Sequence, residues 1–361
     1  MSRIRVLVVD DSALMRKLLT EILSRDESIE VVGAAADPYY AWSLVQTENP
    51  DVLTLDVEMP QMDGLEFLER LMRARPLPVV MVSALTQRGG QWTLKALELG
   101  AIDYVAKPKL DEQRSIDDVG DEICAKVKMA ARSQVRTNRP VVQQLPPTSP
   151  GPANTDGVAG LLLNDTNLVL AIGASTGGTE AIREVLLGMA ADAPGIVVVQ
   201  HMPEHFTRAF AERLDSMCAM HIKEAADGDP VVSGSVLIAP GGTQHMRVHR
   251  SGDQYIVRLS SEPPRNHHRP SVDVLFESCA QNVGKNAVGV LLTGMGEDGA
   301  QGLLAMRRAG ARTIAEHEST CVVYGMPRAA VELGAVTTSQ PPPQIASTML
   351  RFANSLVSRG E

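Results

Sequence analysis

The chain has little cysteine, no long apolar run and no excess of positive charge. Its four cysteines, Cys124, Cys218, Cys279 and Cys321, lie far apart with no CxxC spacing, which favours reduced, packed thiols over a metal site or a disulfide framework. No apolar stretch approaches the roughly 18 residues that a membrane span requires. The first residues run straight into a strand-like pattern, with no signal peptide. These absences predict a soluble, cytoplasmic protein with no direct membrane insertion. Residues 1–125 hold 22 Asp and Glu against 13 Lys and Arg, and the remainder holds 21 of each sign. Neither part is basic, so the charge balance speaks against nucleic acid, whose phosphates call for clustered Lys and Arg.

What is present is alternation. The 361 residues, 44% of them apolar, suffice for two domains with separate cores. From Arg5, strand and helix patterns alternate through "RVLVVDDS", a helix from Ala13, "EVVGAAAD", a helix after Pro38, "DVLTLDVEMP", a helix from Gly64, "LPVVMVSAL", a helix near Trp92 to Leu99, and "AIDYVAKP". A last helix is expected from Asp117 toward Val135. Leu14, Leu18, Leu19, Ile22 and Leu23 recur at helical spacing and predict a buried stripe. The strands are nearly all apolar, as parallel strands covered on both faces are. Between Thr137 and Gly160 both periodicities vanish and five prolines gather, the composition of a linker. A second α/β series then runs through "LVLAIGAS", "GIVVVQHM", "GSVLIAP", "YIVRLS", "AVGVLLTG" and "ARTIAE". Within it "MRVHRSGDQYIVRLS" reads as a hairpin turning at Ser251, Gly252 and Asp253.

Acidic residues mark the strand ends of the first series. Asp10 and Asp11 end its first strand, Asp56 its third, Ser83 its fourth and Lys107 its fifth. Carboxyl ends of parallel strands share one edge, where ligands bind. Carboxylates gathered there repel unless a cation intervenes, and Mg²⁺ suits hard oxygen ligands and phosphate. A carboxylate beside Mg²⁺ and a lysine can attack a phosphoryl donor, which makes Asp56 the candidate nucleophile. Through "VVDDS", "LDVEMPQMDG", "VSAL" and "YVAKP" this part resembles a response-regulator receiver domain. The resemblance implies Asp56 as phosphoacceptor, with Asp10, Asp11, Asp56 and the Glu58 main-chain carbonyl holding Mg²⁺. It also implies Ser83 and Lys107 as phosphoryl-site support, Tyr104 as an aromatic that reorients on activation, and a cis bond before Pro108.

The second series opens on "GASTGG". Gly173 to Gly178 match the GxxxxG half of a phosphate loop, but Thr179 and Glu180 follow where Lys and Ser or Thr belong, so the cationic phosphate partner is missing. As a nucleophile turn it fits better. Gly173, Gly177 and Gly178 allow a strand to turn sharply into a helix while exposing Ser175, and Gly173 to Gly177 satisfy G-x-S-x-G. A serine needs a base. His201 ends "IVVVQH" and Asp298 follows "VGVLLTGMGED", while His317 after "ARTIAE" is a second candidate base; spacing leaves the two histidines open.

The ordered motifs "IGASTGG", "QHMP", "IAPGG", "RPSVDVLF", "LLTGMGEDGA" and "VYGMPRAA" resemble the catalytic domain of chemotaxis-type protein-glutamate methylesterases. The resemblance selects His201. It implies a Ser175, His201, Asp298 triad, the Met295 amide as oxyanion donor and the Thr176 hydroxyl orienting His201. It also implies glutamate methyl-ester hydrolysis and glutamine deamidation on methyl-accepting chemoreceptors, with a chemotaxis histidine kinase as phosphodonor and no cofactor in the catalytic domain. The expected architecture is two doubly wound α/β domains. A flavodoxin-like (βα)5 receiver in residues 1–125 and an interdomain helix and proline-rich linker in 126–166 precede a mainly parallel methylesterase domain with a hairpin section in 167–361. The unphosphorylated receiver is expected to hinder large substrates. "NHHRPSVD" reads as a loop preceding a helix, with Arg265 or Arg269 as alternatives for steering an acidic receptor surface.

Overall fold

Strands apolar on both faces need cover on both faces, and helices supply it in two compact units, Met1–Asn138 and Arg139–Glu361. The structure, a computed structural model, describes residues 3–59, 62–83, 87–107, 116–133 and 168–357. The proline-rich stretch between Thr137 and Gly160, and Pro108, where a cis bond is expected, lie outside the described residues. No helix among the described residues is long and apolar enough to cross a membrane.

The first unit runs β1 (Ile4–Val9), α1 (Ala13–Ser24), β2 (Ile29–Ala35), α2 (Pro38–Glu48), β3 (Val52–Asp56), α3 (Gly64–Ala74), β4 (Val79–Ser83), α4 (Gln87–Glu98), β5 (Asp103–Ala106) and α5 (Ile116–Ala130). Its sheet is parallel with order β2-β1-β3-β4-β5. The helices start where short polar side chains satisfy otherwise unpaired amides. Ser12 accepts from the Met15 N–H, Asp37 from Tyr39 and Tyr40, and Asp63 from Glu66. The stripe expected on α1 is narrower than its spacing suggests: Leu19, Ile22 and Leu23 are buried, but Leu14 is 63% exposed. Its turn starts past the carboxyl end of β1, where the sheet gives no apolar cover.

The second unit runs β6 (Val169–Ala174), α6 (Gly178–Leu187), β7 (Ile196–Gln200), α7 (Phe206–Asp215), β8 (His221–Glu224), β9 (Ser235–Ile238), β10 (His245–Ser251), β11 (Gln254–Ser260), α8 (Val272–Asn282), β12 (Ala287–Leu291), α9 (Ala300–Arg308), β13 (Arg312–Glu316), α10 (Met326–Glu332), β14 (Thr338–Gln340) and α11 (Pro342–Val357). Seven strands form a parallel sheet in the order β14-β13-β12-β6-β7-β9-β8. The chain starts in the middle at β6, winds out one way to β8, then crosses back and winds out the other way to β14. β10 and β11 form the expected hairpin, Ser251 opposite Gln254. Gly252 takes φ 61° at the first central turn position, which favours glycine.

Candidate functional site

Pairing of β6 with β7 sets Ala174 opposite Gln200, so the following residues, Ser175 and His201, leave the sheet side by side. The His201 N–H donates to the Ala174 carbonyl at 3.1 Å. On the other flank β12 pairs with β6, and the Ser175 N–H donates to the Thr293 carbonyl at 3.0 Å. The chain then turns through Gly294 to Asp298, just ahead of α9. All three expected triad residues thus lie at the carboxyl edge around the reversal of strand order between β6 and β12, where open α/β sheets bind ligands.

The turn carrying Ser175 is tightly built. Gly177 has φ 75°, and a Cβ there would lie 2.6 Å from the Val322 side chain. Gln200, which the sequence reading passed over, donates from Nε2 to the Ser175 carbonyl at 2.8 Å and to the His201 carbonyl at 3.3 Å. It ties the ends of β6 and β7 together.

Asp298 is 2% exposed and receives five hydrogen bonds. Its Oδ2 accepts from His201 Nε2 at 2.8 Å and from the Val272 N–H at 2.7 Å. Its Oδ1 accepts from the Ser271 hydroxyl and Asn266 Nδ2, both at 2.8 Å, and from the Asp273 N–H at 3.4 Å. Burial pushes the carboxyl up, but the His201 hydrogen bond and charge, with the Asn266 and Val272 bonds, outweigh it and hold Asp298 well below the usual carboxylate range. An ionised carboxylate only accepts, so His201 Nε2 carries a proton. In the neutral ring the lone pair is therefore on Nδ1, which is buried and has no hydrogen-bond partner among the described residues. No hydrogen bond joins it to the Ser175 hydroxyl in this structure; such bonds often tighten only around substrate.

The loop "NHHRPSVD" does precede a helix, α8, and it also builds the site. Asn266, Ser271 and Val272 hold Asp298, while the His268 ring stacks on His201 with centroids 3.7 Å apart and planes 12° from parallel. Ser271 caps α8 through the Val274 N–H as well. Arg265 makes two bonds of 2.6 Å to Glu277, and Arg269 donates to the Gly242, Ser261 and Glu262 carbonyls. Both guanidiniums anchor the loop. Met295 is exposed, and its N–H donates no hydrogen bond among the described residues. Thr176 is buried, its carbonyl accepting from the Thr293 hydroxyl at 3.0 Å. His317 is exposed and accepts from the Ser319 N–H at 3.2 Å, as a surface cap.

In the first unit, β1 and β3 are neighbours, which brings Asp10 and Asp56 together. Asp10, Asp11 and Asp56 each offer an oxygen, all within 4.8 Å of one another. Lys107 Nζ lies 2.6 Å from Asp56 Oδ2 and 3.0 Å from Asp10 Oδ2. Burial pushes the Asp56 carboxyl up to about 6, opposed by the Lys107 hydrogen bond and reinforced by the Asp10 charge. Asp10 Oδ2 is buried and has no hydrogen-bond partner among the described residues, where it meets Lys107 as an ion pair. A surplus of carboxylates over one ammonium, with that oxygen unsatisfied, fits a hard divalent cation such as Mg²⁺. The Glu58 N–H donates to Asp56 Oδ1 at 3.4 Å. Tyr104 is buried on β5 with Lys126 Nζ 5.1 Å from its ring centroid. Ser83 ends β4 opposite Ala106; its side chain lies outside the described set.

Residues 6–117 match the family described as response regulator receiver domain, and residues 170–349 match CheB methylesterase. The protein-glutamate methylesterase/protein-glutamine glutaminase 2 of Bordetella avium is 54% identical over 98% of this chain and 98% of its own length. The protein-glutamate methylesterase/protein-glutamine glutaminase of Salmonella typhimurium is 52% identical over 97% of each chain. The solved CheB methylesterase catalytic domain of Thermotoga maritima is 35% identical with a TM-score of 0.50, covering 51% of this chain and 98% of that one. With similarity running through both units and nearly end to end, the chain belongs to the CheB methylesterase family, carrying a response regulator receiver domain ahead of the methylesterase domain.

Proposed function

We propose that this chain hydrolyses glutamate methyl esters, and deamidates selected glutamines, on methyl-accepting chemoreceptors under control of phosphorylation at Asp56. The receiver occupies residues 1–125 and the methylesterase domain 167–361, joined by 126–166. The observation that carries the reading is the buried His201–Asp298 pair, 2.8 Å apart, at the strand end beside Ser175. The Ser175 oxygen attacks the ester carbonyl while His201 Nδ1 takes the hydroxyl proton, and ionised Asp298 stabilises the imidazolium. The Met295 N–H receives the oxyanion, and the Thr176 hydroxyl orients His201. Collapse expels methanol, which takes the proton from Nδ1. Water, deprotonated by His201, then opens the acyl-enzyme to glutamate and restores Ser175. With a glutamine the leaving group is ammonia.

In the receiver, the Asp56 carboxylate attacks the phosphorus carried by a phosphohistidine of a chemotaxis histidine kinase, the P–N bond breaks and the kinase's imidazole leaves. Asp10, Asp11 and Asp56, with the Glu58 carbonyl, would hold Mg²⁺, whose charge when bound offsets that of the transferred oxygens. Ser83 and Lys107 hold those oxygens, and Tyr104 reorients on activation.

Methanol release from methylated receptor, wild type against Ser175→Ala, tests the reading. A loss of roughly 10³-fold or more is expected for the alanine variant. A folded Ser175→Ala that releases methanol at the wild-type rate would overturn it.

A further inference from the structure

One hydrogen bond holds the His201 ring to Asp298, and beyond its own side-chain torsions that bond alone does not fix the plane of the ring. The His268 ring lies flat against one face of His201, 3.7 Å away and within 12° of parallel, and so restricts that plane. The backbone that presents His268 is not relaxed. Arg265 and His268 exchange both main-chain hydrogen bonds, at 3.0 and 2.9 Å, closing a reverse turn whose two central residues, Asn266 and His267, have φ of 52° and 65°. Two consecutive positive φ values are the pattern of a type I′ turn, which favours Asn then Gly. Histidine stands in the second place. A left-handed non-glycine residue is strained and persists only where its surroundings over-determine it. Here they do: Arg265 is bound twice by Glu277, Asn266 Nδ2 reaches both Asp273 and Asp298, and Arg269 grips three carbonyls. An extended loop would release the strain and take His268 off the ring.

We propose that His268 is a positioning residue for His201, resting on the triad reading above: its flat face fixes the plane in which Nδ1 meets the Ser175 proton. An aromatic face against a ring that becomes cationic also favours that cation. The strained turn is the device that delivers it.

The test compares His268→Phe, which keeps a flat face, with His268→Leu, which fills similar space without one, in the full chain and on methylated receptor. His268→Leu is expected to lower kcat about 10- to 100-fold with KM within about twofold, and His268→Phe to recover most of that loss. The nitrogen NMR signals of the His201 ring, those of one tautomer in wild type and His268→Phe, are expected to average in His268→Leu. Wild-type kcat in His268→Leu, or equal slowing in both folded variants, overturns the proposal. Ser175→Ala assayed alongside separates the two levels. If it still releases methanol, the triad reading fails; if it is inactive while His268→Leu matches wild type, only the role of His268 fails.

Discussion

A buried carboxylate surrounded by five donors is rigid as well as charged, because each bond restricts a different direction of movement. For Asp298 this means that the oxygen facing His201 stays an acceptor and favours the ring tautomer with its lone pair on Nδ1, while the stacked His268 ring fixes the plane of that ring. Asp298→Asn would keep the shape but offer an amide that can donate, which reverses the tautomer preference. Its kcat for methanol release is expected to fall about 10³- to 10⁴-fold with little change in KM. The pH dependence follows from the depressed pKa. A group whose folded pKa lies below its unfolded value contributes stability above the unfolded pKa and loses it as pH falls through the folded one. Melting temperatures of wild type and Asp298→Asn should therefore differ by a constant amount above about pH 5 and converge as the pH drops below 3.8. Ser175, His201 and Asp298 were legible because each follows an apolar run and so stands at a strand's end. Asn266, His268 and Ser271 were not, because their tie to a carboxylate and an imidazole distant in sequence exists only after α8 docks against the sheet.

At the scale of elements, a turn that must expose a hydroxyl and start a helix at once has room for few side chains. Gly177 takes φ 75°, and a Cβ on it would be 2.6 Å from Val322, so two separate strains act on any substitution. Gly177→Ala is expected to lower stability by about 1–3 kcal/mol and to reduce methanol release further by displacing Ser175. Chemical denaturation beside the assay checks both, and a variant with wild-type stability and rate would contradict this packing account. The glycines were readable as a turn from spacing alone, as were the central strands from their Val, Ile and Leu runs. The edge strands β8 and β14 were not: "HIKE" and "TSQ" carry no apolar run, because an edge strand buries less of itself. The first turn of α1 misled in the other sense, with Leu14 in helical register yet exposed, since periodicity records a face but not where the sheet beneath it ends.

Across the whole molecule, the acidic excess falls in the unit that gathers carboxylates around Lys107, and the other unit holds the histidine, serine and aspartate. In the proposed function, Asp56 is the residue through which the first unit would act on the second. Its folded pKa of about 6 stands above the ordinary 3.8, so at pH 7 the ionised form opposes folding, and stability rises as pH falls through 6 toward 3.8. Neutralising the charge by substitution, or offsetting it with bound Mg²⁺, acts in the same direction. Asp56→Asn should melt higher than wild type at pH 7 without Mg²⁺, and added Mg²⁺ should raise the wild type more than the variant. Phosphorylation as proposed would go further, because it would place about two negative charges and three acceptor oxygens where one carboxylate stands, and a rearrangement around them is what the coupling to Ser175 requires. If that rearrangement relieves hindrance of large substrates, a small phosphodonor with Mg²⁺ will speed demethylation of intact receptor by wild type and leave Asp56→Asn unresponsive. A small glutamate methyl ester, which hindrance would not exclude, should show a smaller increase. Demethylation rates on both substrates, with and without donor, decide it: equal rates in all conditions mean that Asp56 does not govern Ser175.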